Sequence, residues 1–186
     1  PGEALLVSLD RDPGPARRLR ADPRRRALAA EQTVGEALER LDGVGWHALH
    51  SVPLPGGDRI HHLLIGPGGL FALHTLYARK QKVTVADPVV SLGRRESYPL
   101  LRRVRADADR ASYALTAEVH PVLALVAPTD VTITAPLREV RVLLGTEVAG
   151  LARLGGVLKP TDVEALHALA RDRRVWATGD SSSSDA

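Results

Sequence analysis

An α/β domain, a β-sheet with helices packed on its faces, is the fold class this 186-residue sequence predicts. Three observations predict it. Apolar residues recur at alternating spacings of four and three in two separate stretches, the mark of helices with one buried face. Between those stretches lie short segments of alternating or continuous apolar character, as strands require. The hydrophobic fraction of 44% is enough for a real core, and with 3% aromatic residues that core is filled by Val, Leu and Ala.

The elements follow in order. Residues 25–41 form a helix with Ala27, Glu31, Val34, Leu38 and Leu41 on one stripe, stopped by Asp42, Gly43 and Gly45. Residues 46–54 alternate like a strand. Residues 59–65 and 70–76 are two further strands, joined by Gly66-Pro67-Gly68-Gly69, a hairpin turn. Residues 82–86 and 89–92 are short extended pieces. A second helix over 97–117 carries Leu101, Val104, Ala108, Ala111 and Leu115 on its stripe. Residues 122–126 suit a buried strand, and 131–134 and 140–144 follow. Helical segments at 147–154 and 161–171 close the chain, the last opened by a capping box of Thr161 and Glu164.

Three regions are expected: an arginine-rich arm at 1–23, one domain at 24–176, and a disordered serine-rich tail at 177–186. The chain has no cysteine, which excludes disulfides, a thiolate nucleophile and Cys-ligated zinc. No apolar run approaches the roughly 20 residues a membrane helix needs, and no signal-like stretch opens the chain. The expectation is a cytoplasmic protein without a membrane partner. GxSxG, HExxH and phosphate-loop patterns are also missing.

Only Lys80, Lys82 and Lys159 among the 25 basic residues are lysine. Arginine suits phosphate recognition, and six arginines fall between positions 17 and 26. Arg24, Arg25 and Arg26, with Arg94, Arg95, Arg102, Arg103 and Arg105, are the candidate contacts to DNA or RNA. A solvated arm and the mixed charge of the second helix, which also holds Asp107 and Asp109, are the plainer explanation.

Two features point to a site. Glu31 sits on an inward stripe, where a carboxylate requires a cation, a donor or a ligand role, unless it bends to solvent or pairs with an arginine. A symmetric hairpin register pairs Ile65 with Leu70 and Leu63 with Ala72, which sets His61 opposite His74 on one sheet face. Glu31, His61 and His74 then make a candidate set for Zn, Mn or Fe rather than Mg. The inert alternative is a pair of histidines that only hydrogen-bond. His62 falls on the other face, His47 and His50 point to opposite sides, and His120 and His167 have no partner nearby in sequence.

The strings AEQTVGEAL (30–38), GWHALHSVPLP (45–55) and RIHHLLIGPGGLFALHTL (59–76) resemble the nuclease-related domain (NERD) family over about residues 27–95. The resemblance implies a restriction-endonuclease-like PD-(D/E)XK fold, with a mixed central β-sheet flanked by helices. It also implies a Mg²⁺-dependent phosphodiesterase site at four positions. Glu31 matches the family's helix glutamate, though Ala30 replaces the preceding glycine. His61 stands where the family has aspartate, His74 where it has an acid, and Leu76 where it has lysine. Two imidazoles remove the hard oxygen ligands Mg²⁺ prefers, and leucine supplies no charge to a phosphate. The expectation is therefore a non-cleaving relative that keeps nucleic-acid binding. Its rivals are an enzyme with a rebuilt Mn or Zn centre and a protein-interaction module or homodimer.

Overall fold

The computed structural model describes residues 23–177 apart from 56, 57 and 95. Most of the arginine-rich arm, and the serine tail from 178 on, lie outside the described residues. The elements are α1 (Pro23–Glu39), β1 (His47–Pro53), β2 (Arg59–Gly66), β3 (Gly69–Tyr77), β4 (Lys82–Ala86), β5 (Val89–Leu92), β6 (Glu96–Tyr98), α2 (Leu100–Leu115), β7 (Val119–Val126), β8 (Asp130–Ile133), β9 (Arg141–Leu144) and α3 (Pro160–Arg171). Short 3₁₀ segments occupy Asp42–Val44, Gly145–Arg153 and Arg173–Trp176.

The main sheet runs β1-β2-β3-β7-β9. Its first three strands are antiparallel, while β3, β7 and β9 are parallel, so the sheet is mixed as expected. Helices cover both faces, which is why β7 reads as the continuous apolar run Val122–Val126 rather than an alternation. On one face Val34 and Leu38 of α1 pack with Leu64, Phe71, Leu73 and Val122. On the other, Ala108, Ala111 and Leu115 of α2 pack with Leu63, Ile65 and Ala72.

A second, four-stranded sheet, β6-β5-β4-β8, was not foreseen. The start of α2 holds it, through Leu101 and Val104 against Val83, Val85 and Val90. Part of it falls on residues 97–98, which the periodicity assigns to the helix. Ser97 and Tyr98 instead pair with Ser91 and Val90 of β5. Pro99 is the reason: a residue before proline is pushed towards extended backbone, so the helix begins after it.

The capping box at Thr161 also needs correction. Pro160 takes the first helical position, and the cap, Lys159, offers no side-chain hydrogen bond. Glu164 turns away from the helix end to His47. Among the described residues no helix is long and apolar enough to cross a membrane.

Candidate functional site

Glu31 reaches the interior on the stripe formed by Leu28, Val34 and Leu38, and it is 1% exposed. Unpaired, a carboxylate there would be strongly unfavourable. The partner is Arg59, the first residue of β2. Its Nη1 donates to Oε2 at 2.9 Å and its Nη2 to Oε1 at 2.7 Å, a two-pronged match of planar groups. Of the fates open to Glu31, pairing with an arginine is the one realised.

The hairpin closes in the anticipated register, Ile65 with Leu70 and Leu63 with Ala72. His61 and His74 lie side by side with ring centroids 4.9 Å apart. The ladder alters at this point, because His61 Nδ1 accepts the Thr75 backbone N–H at 3.0 Å. The His61 proton is therefore on Nε2 and the ring is neutral. His61 Nδ1 lies 3.5 Å from Glu31 Oε1, a contact of a neutral ring with a carboxylate rather than an ion pair.

Glu31, His61 and His74 are thus neighbours, but their donor atoms are largely engaged. Arg59 takes both Glu31 oxygens, Thr75 takes His61 Nδ1, and His74 Nε2 faces Asp107 Oδ2 at 3.1 Å. They do not form a group with all ligand atoms within 4.8 Å of one another; among the described residues His47, Glu164 and His167 do.

Asp107 is the site residue that the sequence reading passed over. It lies on α2 and is fully buried. Its Oδ2 approaches His74 Nε2 without a well-aligned hydrogen bond at either atom. Its Oδ1 accepts from Arg110 Nη1 at 3.0 Å. Arg103 Nε stands 3.7 Å away, while Arg103 Nη2 donates to Asp58 at 2.8 Å. Asp107 falls three residues after Val104 and four before Ala111, so it shares their stripe. Like Glu31, it is an acid on an apolar stripe.

These contacts follow one another from residue to residue: Arg59, Glu31, His61, His74, Asp107, then Arg103 and Arg110. Each acid is next to a guanidinium. Leu76 is half-buried and packs at the edge of the Leu101–Val104 cluster, so no amine stands at that position. Lys80 and Lys82 are exposed.

The candidate phosphate contacts divide. Arg25, Arg26, Arg94 and Arg102 are exposed, and Arg24 is half-buried. Arg103 is tied to Asp58, and Arg105 to Asp87 and the Arg138 carbonyl. Arg95, and the arginines before position 23, lie outside the described residues. His62, on the face opposite His61, meets His50 Nδ1 to Nδ1 at 2.8 Å.

Burial depresses His61 well below the ordinary histidine value, helped by the neighbouring His74 ring and the Arg59 guanidinium. Burial and His50 do the same to His62. The unfolded chain protonates both near 6.5 while the folded chain resists. Their contribution to stability is therefore complete above about pH 6.5 and is lost as pH falls towards the depressed values. His47 acts in the opposite sense. Burial pulls it down, but hydrogen bonds to Glu164 and Asp42 outweigh that and leave it raised. Its contribution is present in acid and is lost as pH rises through its raised value; its partners are exposed, so the effect is small. The free energy of unfolding should fall on acidification from about pH 7 to 5, by up to about 1.4 kcal/mol per pH unit for the buried His62 and by less for His61, which is partly exposed. A flat profile would contradict their neutral burial.

A family model described as nuclease-related domain matches residues 26–125. No curated protein and no solved structure matches the chain.

Proposed function

The chain belongs to the nuclease-related domain family, and on that premise we propose that it is a non-cleaving member that binds nucleic acid. The observation that carries this reading is the Arg59 fork on Glu31. Of the four positions at which the family resemblance places its chemistry, only Glu31 keeps its residue type. A guanidinium occupies both of its oxygens. Positions 61 and 74 offer imidazoles, and position 76 offers an alkyl group. These residues do not fit Mg²⁺, which takes hard oxygen donors, and they leave it no hydrolytic step to support.

Support for binding comes from the first turn of α1. Arg25 and Arg26 are exposed there, with no acid in that turn. A helix N-terminus disfavours cations, so the helix dipole does not explain the two exposed arginines, Arg25 and Arg26, at this place. A phosphate backbone beside the turn would offset the cost. Arg94 and Arg102 add exposed positive charge elsewhere.

Plasmid and labelled oligonucleotides incubated with the protein and Mg²⁺, Mn²⁺ or Zn²⁺ should stay intact. Anisotropy titrations should show binding that weakens with salt. Replacing Arg24, Arg25 and Arg26 by Gln should flatten the logarithmic salt slope by about 0.9 for each phosphate no longer neutralised. Cleavage abolished by His74→Ala would instead establish a rebuilt metal centre. No binding at low salt, together with a stable homodimer, would favour an interaction module.

A further inference from the structure

We propose that His47, Glu164 and His167 form a binding site for a transition-metal ion of the Zn²⁺ class at the junction of β1 and α3. Glu164 and His167 lie outside the family match at 26–125, so this site is no part of the family's chemistry. It is also independent of the reading of the central cluster.

The three side chains come from two distant parts of the chain and meet at one place. His47 opens β1 immediately after the 3₁₀ turn Asp42–Val44. Its Nε2 lies 2.8 Å from Glu164 Oε1. Its ring stacks on His167 with centroids 4.1 Å apart and planes within 4°. Glu164 and His167 are three apart on α3, and so share one helix face. One ligand atom from each residue lies within 4.8 Å of those of the other two.

The donor set is two imidazoles and one carboxylate, a combination that suits Zn²⁺ and its neighbours over Mg²⁺ or Ca²⁺. Asp42 adds an independent feature. Its Oδ1 accepts the Nδ1–H of His47 at 2.9 Å. A metal-bound histidine characteristically donates its other ring N–H to a carboxylate, which fixes the ring and directs the remaining nitrogen at the ion. Here Nε2 is the nitrogen so directed, and it faces Glu164.

A surface ion pair alone would explain His47 between two acids, but it has no use for a second imidazole stacked on the first. An ion uses all three once the partly exposed His167 ring turns out of the stack, because parallel rings do not aim their in-plane lone pairs at one point. Neighbouring ligand atoms around tetrahedral Zn²⁺ stand about 3.3 Å apart. The 2.8 Å separation therefore opens by about half an ångström, and Glu164, 68% exposed, has room to move. A fourth position is left to water. The bound ion would tie the C-terminal helix to the first strand of the sheet.

The full chain, stripped with chelator and dialysed, is titrated with Zn²⁺ by calorimetry and with Co²⁺ by absorption. The wild type should take one equivalent, give the visible bands of tetrahedral Co²⁺, and melt at higher temperature with Zn²⁺. His167→Ala and Glu164→Gln should each abolish the stoichiometric step. Asp42→Asn should weaken it by about 10–100-fold while leaving the ligands intact. His74→Ala should change nothing. Absence of a stoichiometric step in the wild type overturns the proposal. So does a step that survives His167→Ala, and a step lost in His74→Ala would move the ion to the central cluster.

Discussion

Arg59→Met should lower the free energy of unfolding by about 3 kcal/mol, a drop in melting temperature of roughly 6–12 °C for a chain of this size. The substitution keeps most of the side-chain volume and removes only the guanidinium. Glu31 is then left with two desolvated oxygens and, within reach, the neutral ring of His61. The loss measures a stranded carboxylate rather than the net worth of the pair, because both ions gave up hydration to meet. The double variant Glu31→Leu with Arg59→Met should recover most of the loss. Chemical denaturation of the single and double variants checks both statements. If the single variant unfolds within half a kcal/mol of the parent, Arg59 is not what holds the Glu31 charge in the interior.

Gly66→Ala should be comparably severe, about 3 kcal/mol. Gly66 ends β2 at the hairpin turn, and the Trp46 ring lies flat over it. A Cβ added at Gly66 would fall 2.1 Å from Trp46 Cδ2. Trp46 cannot retreat: it is 1% exposed and has Phe71 as a ring neighbour at 6.0 Å. Either the indole or the turn must shift, and the turn sets the register that brings His61 to His74. Gly43→Ala is the matched control, since a Cβ there meets nothing within 4 Å. Equal denaturation midpoints for the two variants would contradict the packing argument.

Much of the fold is legible along the chain itself. Apolar periodicity located α1, α2 and the strands β1 to β5 and β7, and the Gly66-Pro67-Gly68-Gly69 string set the β2–β3 register. What escaped was set by contacts that leave no local trace. β6 is three exposed residues, Glu96, Ser97 and Tyr98, made a strand by their pairing with β5. Glu164 looked like half of a capping box because Thr161 stands three residues before it. His47, 117 positions away, decides its direction.

The site divides in the same way. Glu31, His61 and His74 were legible because each breaks a pattern: an acid on an apolar stripe, and two histidines in one strand pair. Asp107 breaks the same pattern, but among Arg102, Arg103, Arg105 and Asp109 it passes for part of the mixed charge of α2. Arg59 broke none. An arginine at the start of a strand is ordinary in one dimension, and only the fold turns its fork onto Glu31. The stacking of His47 on His167 joins β1 to a helix more than a hundred residues later, a distance across which spacing says nothing.

The hairpin has a consequence for the order of assembly. His61 and His74 belong to a local structure closed by a tight turn, which forms in about 1–10 μs. The β7 partners of β3 are far along the chain, as Leu70 with Val119 illustrates, and that longer loop closes later. Glu31 and Asp107 arrive from outside the hairpin, so the two rings meet first, without any counter-charge. Acids at those two positions, as the family pattern has them, would repel one another across the strands until a cation intervened. A neutral ring such as that of His61 removes that repulsion, so this chain can zip its hairpin with no ion in attendance.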